Sequence, residues 1–237
     1  MDKYFLAEMV TDKLKKGIGI TPKALPKKLQ VLEANLPSGK MRMESALYQA
    51  DKLKKITISK HSLGEGGGTV VIIAADNAYD LPFIVVDVAF DFGAKGKVFA
   101  EFEAKPLVKD EESTRKYVDP LRKWRDELGK LPAEPANAFG EVGEFLKANL
   151  SPIEYVRLVP EKYTDDIVKF ADRFFNIYLD MYRKAEPVKN AERKRKMDAF
   201  RAEYNKHVLT EDPSGVMLIN AFGRETAELF YEYLLYL

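Results

Sequence analysis

Five stretches of this chain alternate apolar and polar side chains with a period of two: Lys40 to Tyr48, Lys54 to Leu63, Thr69 to Ala75, Pro82 to Asp91 and Lys97 to Ala104. They read as strands, with turns at Gly39, Gly64 to Gly68, Asp76 to Asp80 and Gly93 to Gly96. A parallel crossover needs about a dozen residues or more, so links this short admit only antiparallel neighbours. The expectation is an antiparallel meander.

Around it the period is 3.6. Asp2 to Lys16 reads as an amphipathic helix stopped by Gly17, and a Pro-containing connector from Thr21 to Pro37 leads to the first strand. Beyond the strands, helices are expected over Glu111 to Leu128 (interrupted by Pro120), Ala138 to Ala148, Thr164 to Ala185, Ala191 to Val208 and Glu225 to Leu235. Thr164, Asp165 and Asp166 suit a helix N-terminus by capping and by the helix dipole. Strands followed by helices give an α+β class: a three-layer α/β/α sandwich with a central antiparallel sheet, expected as one domain over 1–237.

Composition removes several kinds of chemistry. With no cysteine, the chain has no disulfide, thiolate nucleophile, Cys-ligated zinc or iron–sulfur cluster. Two histidines, His61 and His207, argue against a histidine-rich metal site. A formal net charge of +1 lacks the positive excess of a dedicated nucleic-acid binder. Met1 to Lys16 has no apolar core of signal-peptide length and no run reaches about 18 apolar residues. A cytoplasmic protein that neither spans a membrane nor binds nucleic acid is the expectation, in a monomeric state.

One acid breaks the apolar pattern. Along Pro82 to Asp91, Phe83, Val85, Asp87, Ala89 and Asp91 share a face, and Ile84, Val86, Val88 and Phe90 form the other. A buried unpaired carboxylate costs several kcal/mol, so Asp87 faces either solvent or a pocket. The remaining candidates have ordinary explanations. The run from Gly64 to Gly68 precedes a strand, not the helix N-terminus of a phosphate loop, and reads as a turn. Glu101 and Glu103 share a strand face that reads as the solvent side. His61 reads as a surface histidine near a turn, within reach of a pocket rim. The run Arg193, Lys194, Arg195 and Lys196 is a solvated helix face or a docking patch for an acidic partner.

Certain short blocks, taken together and in order, resemble a known family. They are Glu44 to Gln49, Leu53 to Ile56, Ala78 to Phe83, Val86 to Val88 and Ala104 to Pro106, then Leu150 to Pro152 with Arg157, Glu211 to Pro213, Met217 and Leu218, and Ala221 to Glu225 with Tyr233 to Leu235. From Gly39 to Leu237 this set is similar to the ferredoxin-dependent bilin reductases, as a divergent member.

That resemblance implies an α/β/α sandwich holding a linear tetrapyrrole such as biliverdin between the sheet and the C-terminal helices. It also implies no bound metal or organic cofactor, and electrons taken singly from the [2Fe–2S] cluster of reduced ferredoxin. Asp87 falls on the family's central-strand proton donor and Asp212 on or beside its C-terminal loop acid. Val70 stands where the phycocyanobilin-forming enzymes carry a histidine, and Ser59 where they carry a glutamate. Those departures point to two-electron chemistry at a methine bridge or the A-ring. By position, Phe83, Val85, Met217 and Phe222 would stack on the bilin, while Arg157 and Arg224 would meet its propionates. Two alternatives share the fold: a bilin carrier without chemistry, and a reductase of another open-chain tetrapyrrole such as a chlorophyll catabolite.

Overall fold

The structure is a computed structural model and describes residues 2–92, 94–136 and 141–237. In chain order the elements are α1 (Phe5–Ile18), β1 (Thr21–Pro22), α2 (Lys27–Gln30), β2 (Val31–Leu36), β3 (Gly39–Ala50), β4 (Leu53–Leu63), β5 (Gly66–Ala75), β6 (Phe83–Phe90) and β7 (Lys97–Lys105). There follow α3 (Glu111–Ser113), α4 (Asp119–Leu128), β8 (Glu134–Pro135), α5 (Glu144–Ala148), β9 (Tyr155–Pro160), α6 (Thr164–Lys184), α7 (Ala191–Glu211), α8 (Pro213–Phe222) and α9 (Arg224–Phe230). The described residues form one antiparallel sheet in the order β1-β3-β4-β5-β6-β7-β9-β8, with β2 also paired to β3.

The five expected strands are the unbroken middle of that sheet, β3 to β7. Its edges were not read in advance. The expected connector over Thr21 to Pro37 holds β1, α2 and β2, and the last folds back on β3 with Leu36 opposite Gly39. On the far side β9 pairs with β7 through a link of some fifty residues, so no turn signal announces it.

Alternation sends β-strand side chains to two helical layers. Ile56, Ile58, Val71, Ile73, Ile84, Val86, Val88, Val98, Ala100 and Phe102 pack against α1, α4 and α6, whose buried contributions include Leu6, Val10, Trp124 and Phe174. The other face packs on α7, α8 and α9 through Met197, Tyr204, Leu218 and Phe230. The three-layer α/β/α sandwich is the observed architecture.

Local departures have local causes. Gly17 does not end α1; a Cβ there would stand 3.0 Å from Leu179 Cδ1, so it is a packing glycine at the crossing with α6, and Gly19 (φ 66°) makes the left-handed cap. Only Gly64 and Glu65 turn between β4 and β5, because Gly66 to Gly68 are already strand. Pro120 sits in the first turn of α4, after a π-helical turn over Thr114–Val118, where its missing N–H costs little. Thr164 does not cap α6: its hydroxyl donates to Glu161 O (2.6 Å) in the 3₁₀ turn leading in. The helix expected over Ala138 to Ala148 is observed as Glu144–Ala148, and residues 138–140 lie outside the described residues. The expected closing helix starts at Arg224 and finishes in a π-helical turn over Tyr231–Leu235.

Polar groups tie that last turn to the sheet. Thr57 Oγ1 donates to Leu234 O (2.7 Å) and Lys55 Nζ to Glu232 O (3.0 Å). Lys55 is 5% exposed. Burial first, and then the neighbouring Lys54 and Lys23, lower its pKa to about 7. The unfolded chain, with an ordinary lysine near 10.4, then binds more protons between pH 7 and about 10, so this group makes stability rise with pH across that window. Below pH 7 both states are protonated and the burial penalty stands in full. Lys55→Met should therefore flatten the rise, by up to about 1.4 kcal/mol per pH unit. Urea denaturation of both proteins at pH 7, 8.5 and 10 checks this; parallel curves would show that Lys55 is charged throughout.

Candidate active site

Whereas one sheet face is almost wholly apolar, the face toward α7 to α9 is seeded with polar side chains. β4 contributes Thr57, Ser59 and His61, β6 contributes Asp87, and β7 contributes Glu101, Glu103 and Lys105. The register sets Ser45, Ser59, Val70, Asp87, Glu101 and Val156 in one row across six strands. Val70 and Val85 are partly exposed beside Asp87.

His61 belongs to the next row, opposite Gly68, whose own partner on β6 is Ala89. It is not a surface residue: it is 6% exposed, and its Nε2 lies 3.0 Å from Asp87 Oδ1. These two residues are separated by the width of β5, roughly 9–10 Å of sheet. The imidazole spans that width over Gly68, where a Cβ would stand 2.6 Å from Ala89 Cβ. Phe92 packs edge-on against the ring at 5.1 Å. The Asp87 side chain keeps 18% of its surface exposed. A partly exposed acid held by a histidine on one oxygen can pass a proton to a bound molecule.

Glu101 and Glu103 are not a solvent face either. Glu103 is buried, paired with buried Lys105 at 3.1 Å and accepting from Ser151 N at 3.3 Å. Lys105 Nζ lies over the Tyr204 ring, 5.1 Å from its centroid. Glu101 stands directly across from Asp87. Burial, followed by the carboxylates of Asp212, Asp87, Glu103 and Glu154, holds its carboxyl well above the usual carboxylate range.

Asp212 caps α8, its Oδ1 accepting from Ser214 N (2.7 Å) and Ser214 Oγ (2.6 Å). Its charge reaches across the layers to Glu101, Tyr204 and Tyr231. Phe83 is buried edge-on to Tyr204 (5.4 Å), Phe222 is partly buried in the same layer, and Met217 spans that cluster and a smaller one formed by Ala89, Phe92, Phe99 and Leu158. Ser59 is buried and bonded to Ser45 (Oγ···Oγ 2.7 Å).

Two expected residues fall elsewhere. Arg157 pairs with Ala100, so alternation puts it on the opposite face of the sheet from Asp87, beside the Tyr155 ring. Arg224 is exposed on an outer cleft of the helical layer with Lys28, Lys206 and Glu228. Among the described residues, no group of three or more His, Asp or Glu is arranged to hold a metal ion, and no helix is long and apolar enough to cross a membrane.

The residue that sequence reasoning missed is Glu101. Its signal was available: once β6 and β7 are taken as antiparallel neighbours, Asp87 and the Glu101–Glu103 face must share one side of the sheet.

A sheet sandwiched by helices, with a histidine-held acid on its polar-seeded face, matches a solved fold closely. The crystal structure of phytochromobilin synthase from tomato in complex with biliverdin superposes with a TM-score of 0.75 at 14% sequence identity, covering 95% of this chain and 82% of that one. The family model for ferredoxin-dependent bilin reductases matches residues 7–236. The chain belongs to the ferredoxin-dependent bilin reductases, a family of oxidoreductases that draws its electrons from ferredoxin. Its relatives include the 15,16-dihydrobiliverdin:ferredoxin oxidoreductases of Nostoc punctiforme, 21% identical over 231 residues (97% of this chain, 92% of the relative), and of Gloeobacter violaceus, 23% identical over 194 residues (81% and 78%).

Proposed function

We propose that this protein reduces a linear tetrapyrrole, biliverdin or a close relative such as 15,16-dihydrobiliverdin, by alternating electron transfers from reduced ferredoxin with proton transfers from Asp87. The observation that carries this reading is Asp87 itself: it stands on the central strand β6, on the polar-seeded face, with His61 at 3.0 Å. Each reduced double bond takes two electrons from two reduced ferredoxins and two protons from the protein. The bilin lies over Val70, Val85 and Asp87 and beneath Met217 and Phe222, and Asp212 serves the second protonation. The whole chain acts as one bilin-binding unit.

His61 also weighs against a carrier without chemistry. Val70 and Ser59 remove two titratable groups from the row through Asp87, yet the histidine two residues beyond Ser59 returns one to the same carboxylate. The acid therefore keeps a proton-exchanging neighbour, which a mere carrier would not need.

Ferredoxin docking falls to exposed cations. Of the basic run on α7, Lys194, Arg195 and Lys196 are exposed and Arg193 is largely buried. The test is anaerobic. Biliverdin and 15,16-dihydrobiliverdin are titrated into the protein, then reduced ferredoxin is added at increasing salt. We expect binding near one to one with a spectral change, bilin reduction, and a rate that falls steeply with ionic strength, because exposed charges are screened beyond about 8–10 Å. Unchanged free-bilin spectra in both titrations would sink the reading; binding without reduction would leave the carrier.

A further inference from the structure

We propose that Glu101 is the proton store of the bilin site: it stands directly across from Asp87 on the neighbouring strand, faces Asp212 from the helical layer, and returns a proton to Asp87 after Asp87 has protonated the substrate. This rests on the reading of the site given above and adds to it a residue with a role of its own. The β6–β7 register places Glu101 and Asp87 as a cross-strand pair on one face. Side chains so placed have Cβ atoms about 4.5–5.5 Å apart, which brings a proton transfer between their carboxyl groups within reach.

The need for a store follows from the stoichiometry. Two electrons arrive from ferredoxin, two protons must follow, and Asp87 carries one. When the O–H bond of Asp87 breaks and a C–H or N–H bond forms on the bilin, a carboxylate is left behind. If the Glu101 O–H then breaks and a new O–H forms on Asp87, the charge moves to Glu101 and the donor is ready for the second transfer. No oxidant or reductant enters this step. Refilling comes from the Asp212 side, where that acid is partly exposed at the start of α8.

The surroundings favour a Glu101 that keeps its proton until Asp87 loses one. The groups facing it are the acids Asp87, Asp212, Glu103 and Glu154, with Tyr204 and Tyr231 above and His61 beyond Asp87. Lys105, the cation on the same strand face, is paired to Glu103. Five acids, Glu101 among them, share a recess whose cation Lys105 is already engaged and cannot all ionise, and Glu101, directly across from Asp87, is placed to hold the proton. Glu101 acts through Asp87 and is a positioning residue in that sense.

The experiment has two arms. In the first, infrared spectra of bilin-free wild type and Glu101→Gln at neutral pH are compared. We expect protonated-carboxyl C=O intensity in the wild type that shifts in D₂O, with one component of it missing from the variant. In the second, both are mixed anaerobically with biliverdin and reduced ferredoxin. We expect E101Q to bind bilin as tightly as wild type and to form the first radical at the wild-type rate. Its further reduction should slow by about tenfold or more, with radical seen by electron paramagnetic resonance and an altered pH profile; Glu101→Asp should restore part of the rate. An infrared band of undiminished intensity in E101Q, or a variant with the wild-type rate and pH profile, overturns the store and leaves the bilin reading standing. Wild type that never reduces bilin overturns the parent reading instead, and the relay with it.

Discussion

Asp87→Asn should fold, bind bilin and take up an electron, yet reduce its substrate about 10²-fold or more slowly than wild type, stalling at a partly reduced radical. The amide is nearly isosteric with the carboxyl and still offers His61 Nε2 a hydrogen-bonding partner in place of the 3.0 Å contact to Asp87 Oδ1. What it lacks is a transferable proton, and a positioned general acid is worth about 10²–10⁴-fold in rate. Electron entry does not depend on the acid, so absorbance and electron paramagnetic resonance after adding one equivalent of reduced ferredoxin should show a radical at least as abundant as in wild type. An Asp87→Asn protein that gives the same product at the wild-type rate would remove Asp87 as donor and pass the role to Asp212 or Glu101. Because His61 is buried against Asp87, its replacement by Gln should now reach the chemistry as well.

Much of this site was legible in the chain, and the limits of that reading are physical. The alternation of β6 alone isolates Asp87, because a period of two assigns every side chain of a strand to a face. The turns between β3 and β7 are short enough to force neighbours. What a single strand cannot reveal is which residues stand beside it in the sheet. Glu101 read as solvated because its partner was unknown, and His61 read as superficial because nothing local shows that its side chain reaches across β5 to Asp87.

The edges and the helical layer were harder for a different reason. Among the described residues, α3, a π-helical turn, α4, β8 and α5 come between β7 and β9. α8 carries Gly215 and a nearly continuous apolar run in place of a 3.6 pattern. That glycine is required because a Cβ would stand 2.2 Å from Leu209 O, a contact between two helices that no local periodicity encodes. Arg157 was assigned to the bilin by its place in the chain, and a face cannot be read from place alone.

Arg193→Ala should cost about 3–5 kcal/mol of stability and leave ferredoxin docking unchanged. In sequence this arginine opens a basic run; in the structure its side chain is 10% exposed and makes four contacts. Nε donates to Asp80 Oδ2 (2.8 Å), Nη1 to Asp110 Oδ2 (2.7 Å) and Glu112 Oε2 (3.2 Å), and Nη2 to Ser113 Oγ (2.8 Å). Asp80 is 5% exposed and is held on its other oxygen by Tyr117. The knot joins the β5–β6 link, α3 and the first turn of α7. Truncating Arg193 leaves Asp80 buried with only a neutral hydroxyl, the case in which breaking an ion pair costs most. For a chain of this size the melting temperature should fall by on the order of 10 °C. Adding Asp80→Asn should recover part of the loss, since the uncompensated charge goes with it. Urea denaturation of the two single variants and the double variant measures the coupling. The salt dependence of ferredoxin-driven turnover, taken where Arg193→Ala is still folded, should match wild type. A stable Arg193→Ala with a flattened salt dependence would instead put Arg193 on the docking surface and make the knot incidental.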